Sequence, residues 1–152
     1  MTKNVILKGT YCLIIHLNQD SQINIGKLGN INFNGGYYIY VGSAMNSLRA
    51  RIKRHLRDDK KLFWHIDYLL SIHNAEIDNV MYVISNEKLE CDLASQISKN
   101  GTLIKNFGCS DCQCSSHLFY AKDRPNANRI CQKAFKKLNL KSKNLEDLDI
   151  YL

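Results

Sequence analysis

The sequence predicts an α+β domain. A small three-stranded, mainly antiparallel sheet is flanked by helices in the order β-β-α-α-β-α, followed by a cysteine-rich loop and a C-terminal helix. Three observations carry this. Short runs rich in β-formers occur at residues 9–17, 36–41 and 80–84. Apolar residues at helical spacing mark residues 48–57, 62–72, 87–98 and 127–138. The helices do not alternate with strands as regular parallel crossovers would require.

Each element has its own warrant. Residues 9–17 alternate loosely and form the first strand, and 36–41 return antiparallel to it. The polar stretch between them, residues 18–34, reads as a long hairpin connection with room for an extra ribbon around Ile23-Asn24-Ile25. In the first helix Leu48, Ile52 and Leu56 repeat every four residues as a buried stripe. The run Asp58-Asp59-Lys60-Lys61 punctuates it before the more apolar second helix, which carries Trp64, His65 and Asp67. Asn86 can cap the third helix, which Asn100-Gly101 ends. A β-like run at 117–121 follows the cysteine loop, and the last helix turns Ile130, Ala134 and Phe135 inward.

At 152 residues and 45% hydrophobic content, the chain is expected to be one domain, 1–152, with a real core. Its 21 Lys and Arg against 14 Asp and Glu leave a net charge of +7, which points to a polyanionic partner, nucleic acid first. A basic protein with no special partner is the plainer alternative. The N-terminal apolar runs are broken by Lys8, Gly9 and His16 and fit neither a signal peptide nor a membrane span. The six cysteines are therefore expected to be reduced thiols or metal ligands in a cytoplasmic protein, with no membrane partner.

Candidate chemistry gathers where the second strand enters the first helix. Tyr38, Tyr40 and Gly42 share one strand face, and Arg51 and His55, four apart, line one helix edge beside it. Phenols, a guanidinium and an imidazole around one turn suggest a phosphate-handling site; ordinary sheet aromatics and a solvated helix edge would leave the same trace. On the third helix Glu90 falls within the buried arc of Leu89, Leu93, Ala94 and Ile97, whereas Asp92 points away. A carboxylate so placed needs a buried cationic partner, a core hydrogen bond or a metal ion. Cys109, Cys112, Cys114 and His117 form C-x₂-C-x-C-x₂-H, a set that could close a structural Zn²⁺ site, with Cys91 as a further ligand. Reduced thiols packing a loop are the alternative. His65 and Asp67 do not face each other on a helix, so they take separate roles in structural hydrogen bonds or substrate contact. Lys133, Lys136 and Lys137 form either a further nucleic-acid surface or a solvated face.

Gly9-Thr10-Tyr11, then Tyr40-Val41-Gly42, then Arg51, then Glu90, is an order that resembles the GIY-YIG nucleases. The runs YIYVGSA, WHIDYLL, LECDLA and SDCQCSSHLFY look most like their small stand-alone Uri-type subgroup. The resemblance implies a metal-dependent endonuclease that hydrolyses DNA phosphodiester bonds, in repair or in processing of flap and branched DNA, with a DNA-repair protein as a candidate partner. The catalytic module would span residues 8–107, followed by a Cys/His-rich segment, 108–124, and a helical tail, 125–152.

The implied roles fall on matching positions. Glu90 would hold Mg²⁺ or Mn²⁺, and Tyr11 would be general base or water-orienting group with Tyr40 beside it. Arg51 would hold the scissile phosphate, and His55 would hydrogen-bond the attacking water or the phosphate. Arg49, Lys53, Arg54 and Lys27 would contact the nucleic-acid backbone. The chain departs from the pattern at Ser43, where many relatives have lysine; Lys27 and Arg49 are candidates to replace that cation. The asparagine that many relatives carry after the third helix has only Asn106 as its nearest counterpart. These departures keep a weakly active or inactive nucleic-acid-binding module on the same scaffold as the alternative.

Overall fold

The computed structural model describes residues 6–108 and 114–152. The fold is α+β, built on an antiparallel sheet. Strand β1 (Gly9–Leu17) lies at its centre, between β4 (Gly36–Ala44) and β5 (Ala75–Ile84). Its alternation decides the layers. Tyr11, Leu13, Ile15 and Leu17 enter one core, while Cys12 and Ile14 enter a second on the opposite face.

Helices α1 (Leu48–Leu56) and α2 (His65–Leu70) cover the Tyr11 face through Leu48, Ile52, Ile66 and Leu69. Ser47 starts α1 by accepting the Ala50 N–H at 3.1 Å. The other face is covered by α3 (Glu90–Ile97) and α4 (Arg124–Lys137), through Leu93, Ala94, Ile97, Ala127, Cys131 and Phe135. Asp123 caps α4, with Pro125 in its first turn where no N–H is needed. The 18–34 connection does hold a ribbon, β2 (Ser21–Asn24) against β3 (Asn30–Phe33).

The sheet has six strands among the described residues rather than three. Strand β7 (Leu118–Ala121) pairs with β4, and the two-residue pieces β6 (Thr102–Leu103) and β8 (Lys143–Asn144) extend the edges, giving β6-β7-β4-β1-β5-β8. Every pairing is antiparallel. The short additions carry too few residues for a period-two signal. Strand β5 also starts five residues before the apolar run, at Ala75, because its polar first half is held by pairing with β1 and not by apolar burial. Helices α2 and α3 are shorter than their periodicity suggests. Leu89, not Asn86, is the N-cap of α3, and its N–H donates to the Thr10 hydroxyl at 3.3 Å. No helix among the described residues is long and apolar enough to cross a membrane.

Gly9 has a steric task in this arrangement. A Cβ there would collide with the carbonyl oxygen of Val83 and crowd Leu48 at 3.1 Å. Gly9→Ala is expected to force β1 and β5 apart and to lower the unfolding free energy by about 1–3 kcal/mol in urea titrations.

Candidate functional site

A cleft of about 690 Å³ opens on the Tyr11 face, lined among others by Tyr11, Tyr40, Gly42, Ser43, Arg51 and Glu90. Strand pairing creates its floor. Tyr11 stands opposite Gly42 and Leu13 opposite Tyr40, so both phenols emerge on the same face, one step apart. Gly42 leaves space for the Tyr11 ring: a Cβ there would lie 2.5 Å from the phenol oxygen. Arg51 reaches across from α1 and donates to the Ser43 carbonyl at 3.0 Å. Glu90 enters from the first turn of α3, where the helix N-terminus favours a negative charge. It is half-buried at the cleft wall rather than turned into a core, because α3 begins at Glu90 and not three residues earlier.

His55 sits behind the floor instead of in the cleft. It is 2% exposed, and its Nε2 lies 2.6 Å from the Tyr11 hydroxyl, with Tyr40 and Trp64 rings around it. Direct contact with water or phosphate is therefore excluded in this arrangement; His55 reaches the cleft through Tyr11. Its Nδ1 is buried and finds no partner among the described residues. Burial pushes the imidazole down from 6.5 to about 3, so the ring is neutral at ordinary pH. Burial likewise holds the Tyr11 and Tyr40 phenols well above their usual value; Arg51 acts in the opposite direction on both and is outweighed. Both phenols are protonated in the resting site.

The second helix braces the cleft. Asp67 is fully buried and accepts both guanidinium nitrogens of Arg54 at 2.8 and 2.9 Å, plus the backbone N–H groups of Phe63 and Trp64 at 2.9 Å each. Burial alone would raise its carboxyl, but the Arg54 guanidinium and those two N–H groups outweigh it and hold it below its usual value. Trp64, fixed in this way, packs under both Arg51 and Arg54, whose guanidinium carbons lie 4.5 and 4.3 Å from its ring centre. His65 accepts the Gly108 N–H at 2.8 Å. Asp67 thus takes the structural option that the sequence left open, whereas His65 makes a structural hydrogen bond and also lines the cleft.

The expected backbone contacts divide. Lys27 lines the cleft, and Lys53 is exposed on α1. Arg54 is committed to Asp67, and Arg49 turns away to the carbonyl of Leu148, so neither is placed to replace a lysine at Ser43. Lys88 lines the cleft two residues before Glu90 and was missed, since nothing in sequence distinguishes it from other surface lysines. Asn106 is exposed outside the cleft, which Gly108 lines instead. Lys133, Lys136 and Lys137 lie on α4, across the sheet from the phenols.

Cys109 and Cys112 lie outside the described residues. Cys114 and His117 join Cys91, whose ligand atoms all fall within 4.8 Å of one another. The Cys91 and Cys114 sulfurs are in disulfide contact, and Cys114 Sγ lies 2.8 Å from His117 Nε2. That pairing departs from the expectation of reduced thiols or metal ligands; only in the reduced state would the two thiolates and the imidazole make a donor set suited to zinc. Cys91, immediately after Glu90, ties this group to the cleft wall.

The comparison that decides the family covers residues 10–140. The chain belongs to the family described as domain of unknown function DUF123. No curated protein and no solved structure matches it. The DUF123 match takes in all the cleft-lining residues and Cys91, Cys114 and His117, and it stops before β8 and the Leu145–Leu148 turn that Arg49 contacts.

The buried imidazole makes stability depend on pH. Its folded value lies below its unfolded one, so the unfolded chain binds the extra proton first. Stability is full above about 6.5 and falls as pH drops toward about 3. Urea titrations across that window are expected to show His55 contributing up to about 1.4 kcal/mol per pH unit, a slope that His55→Phe removes.

Proposed function

We propose that this chain is a metal-dependent endonuclease of the GIY-YIG type acting on DNA. The observation that supports it most is that Tyr11, Tyr40, Arg51 and Glu90, far apart in sequence, line one cleft. A set matched only by chance would have no reason to converge. Arg51, Lys27 and Lys88 against the single carboxylate Glu90 give the cleft lining a net positive lysine, arginine and carboxylate balance suited to a phosphodiester.

Glu90 is the carboxylate among the cleft-lining residues, and one carboxylate beside open space fits Mg²⁺ or Mn²⁺, which retain several waters. Held by Glu90, such an ion would acidify water and offset charge on the leaving oxygen. Arg51 binds the scissile phosphate and stabilises the negative charge that builds on it. Tyr40 and Tyr11 position the attacking water. Because the phenols rest protonated, Tyr11 cannot begin as a phenolate. Its hydroxyl orients the water, and neutral His55 behind it holds that hydroxyl in place at 2.6 Å, so His55 is a positioning residue behind a catalytic tyrosine. The GIY-YIG resemblance also carries the layout of the three central strands, β4-β1-β5, as the core of the module.

Glu90→Gln is expected to abolish cleavage of a panel of nicked, flap and junction DNA in Mg²⁺ or Mn²⁺ while leaving binding in EDTA nearly intact. Arg51→Ala is expected to slow cleavage by about 100-fold or more. Unchanged cleavage by purified Glu90→Gln would remove the assignment. A second reading, a non-catalytic DNA-binding module, is favoured by the strongly protonated phenols and by Ser43 in the lysine position. It predicts salt-dependent binding without turnover in any metal.

Cys91, Cys114 and His117, when reduced, would supply three of the four ligands of a structural zinc that ties Cys114 and His117 to α3. Elemental analysis of protein purified under reducing conditions is expected to find about one zinc, lost in Cys91→Ser. Metal-free protein with Cys91 and Cys114 oxidised would replace the ion by a disulfide.

A further inference from the structure

Phe63 stands out at the cleft mouth. At 76% exposure it is the most exposed large hydrophobic side chain among the described residues. Single exposed apolar residues are ordinary, but this one is anchored. Its N–H donates to the buried Asp67 carboxylate at 2.9 Å, and its ring meets Trp64 edge-on, with centroids 5.7 Å apart. The main chain of Phe63 is thus held by a fully buried charge while its ring is offered to solvent. Its neighbour Trp64 already carries Arg51 and Arg54.

Tyr11 and Tyr40 are 1% and 9% exposed at the base of a space of about 690 Å³, within the range of small-ligand pockets. The bases of a stacked duplex already cover one another and offer no face to the Phe63 ring. A nucleotide strand that has left the stack can bring its phosphate down to Arg51, and its base then lies at the level of the rim. An aromatic ring beside lysines and an arginine is the arrangement that holds unpaired bases, by stacking on the ring and charge along the backbone.

We propose that Phe63 is a stacking platform for an unpaired nucleobase, so that the cleft takes single-stranded or splayed nucleotides at the scissile position. The proposal rests on the nucleic-acid reading above and adds its substrate class. The ring supplies affinity without sequence preference, since every base has a stacking face, and Arg51 sets which phosphate is engaged. Fully paired DNA can lie across the lysines at the mouth but leaves the ring unused.

The test is equilibrium binding in EDTA, where no cleavage intervenes. Three oligonucleotides of one sequence are compared: a single strand, a duplex with one unpaired 2-aminopurine, and a fully paired duplex. The full-length protein is expected to prefer the first two and to quench the unpaired 2-aminopurine. Phe63→Ala is expected to weaken those two by roughly ten-fold or more, leaving the paired duplex unchanged. Phe63→Trp should retain the preference. Matching thermal melts establish that both variants fold, as an exposed side chain allows. Equal weakening on all three DNAs, no change in Phe63→Ala, or a preference for paired DNA would each overturn the platform while leaving the nuclease assignment standing. Failure of the unsubstituted protein to bind any of the three at low salt would overturn both. Loss of self-association or of a protein contact in Phe63→Ala, with DNA binding unchanged, would make the ring a protein-docking residue and also overturn the proposal.

Discussion

Strand β1 has neither a free edge nor a free face. It pairs with β4 on one side and β5 on the other, and its nine residues, Gly9–Leu17, alternate between two cores. A one-residue slip would exchange those cores and move Tyr11 out of the cleft. Close approach along the strand then demands glycine on its neighbours' terms. Gly9 yields to a carbonyl of β5, and Gly42 on β4 yields to the Tyr11 ring. Gly42 is therefore the steric consequence of the Tyr11 ring, and Gly9 that of the close approach of β5 and Leu48.

The electrostatics of the cleft follow from what that strand buries. Tyr11 is desolvated, and so is the His55 it contacts, which makes both neutral and couples them through a 2.6 Å hydrogen bond. The cationic side is arranged from the helices. Asp67 fixes Arg54, Phe63 and Trp64, and the Trp64 ring then supports Arg51 beside the phenols. A single buried carboxylate with four good donors thereby orders a guanidinium it does not touch. Removing it would strand Arg54 and release two backbone N–H groups, a costly loss in a low-dielectric setting.

Much of this was legible in the chain. The bounds of β1 were read correctly because its β-forming run is long and sharply ended, and the α1 stripe of Leu48, Ile52 and Leu56 announced its inner face. The extra strands were not legible. Two-residue pieces such as Thr102–Leu103 pair because a partner edge is present, not because their residues demand it. Cys91, Cys114 and His117 were all named as candidate ligands, but spacing describes neighbours in sequence, and only the fold brings Cys91 to the other two from another element.

Charge patterning was the least informative layer. Arg49, Arg51 and Arg54 are equivalent on a basic helix until their neighbours are known; the fold then sends one to a C-terminal carbonyl, one to the cleft and one to a buried aspartate. His55 was singled out beside Arg51, yet its place behind Tyr11 depends on a contact 44 residues away. Local pattern thus determines which segments are strands and helices and which faces they bury, because burial and backbone preference act over a few residues. The meeting of Tyr11, Tyr40, Arg51 and Glu90, and the ionisation states there, were decided by tertiary structure. Proximity and desolvation are properties of the packed chain and leave no trace in any single stretch of it.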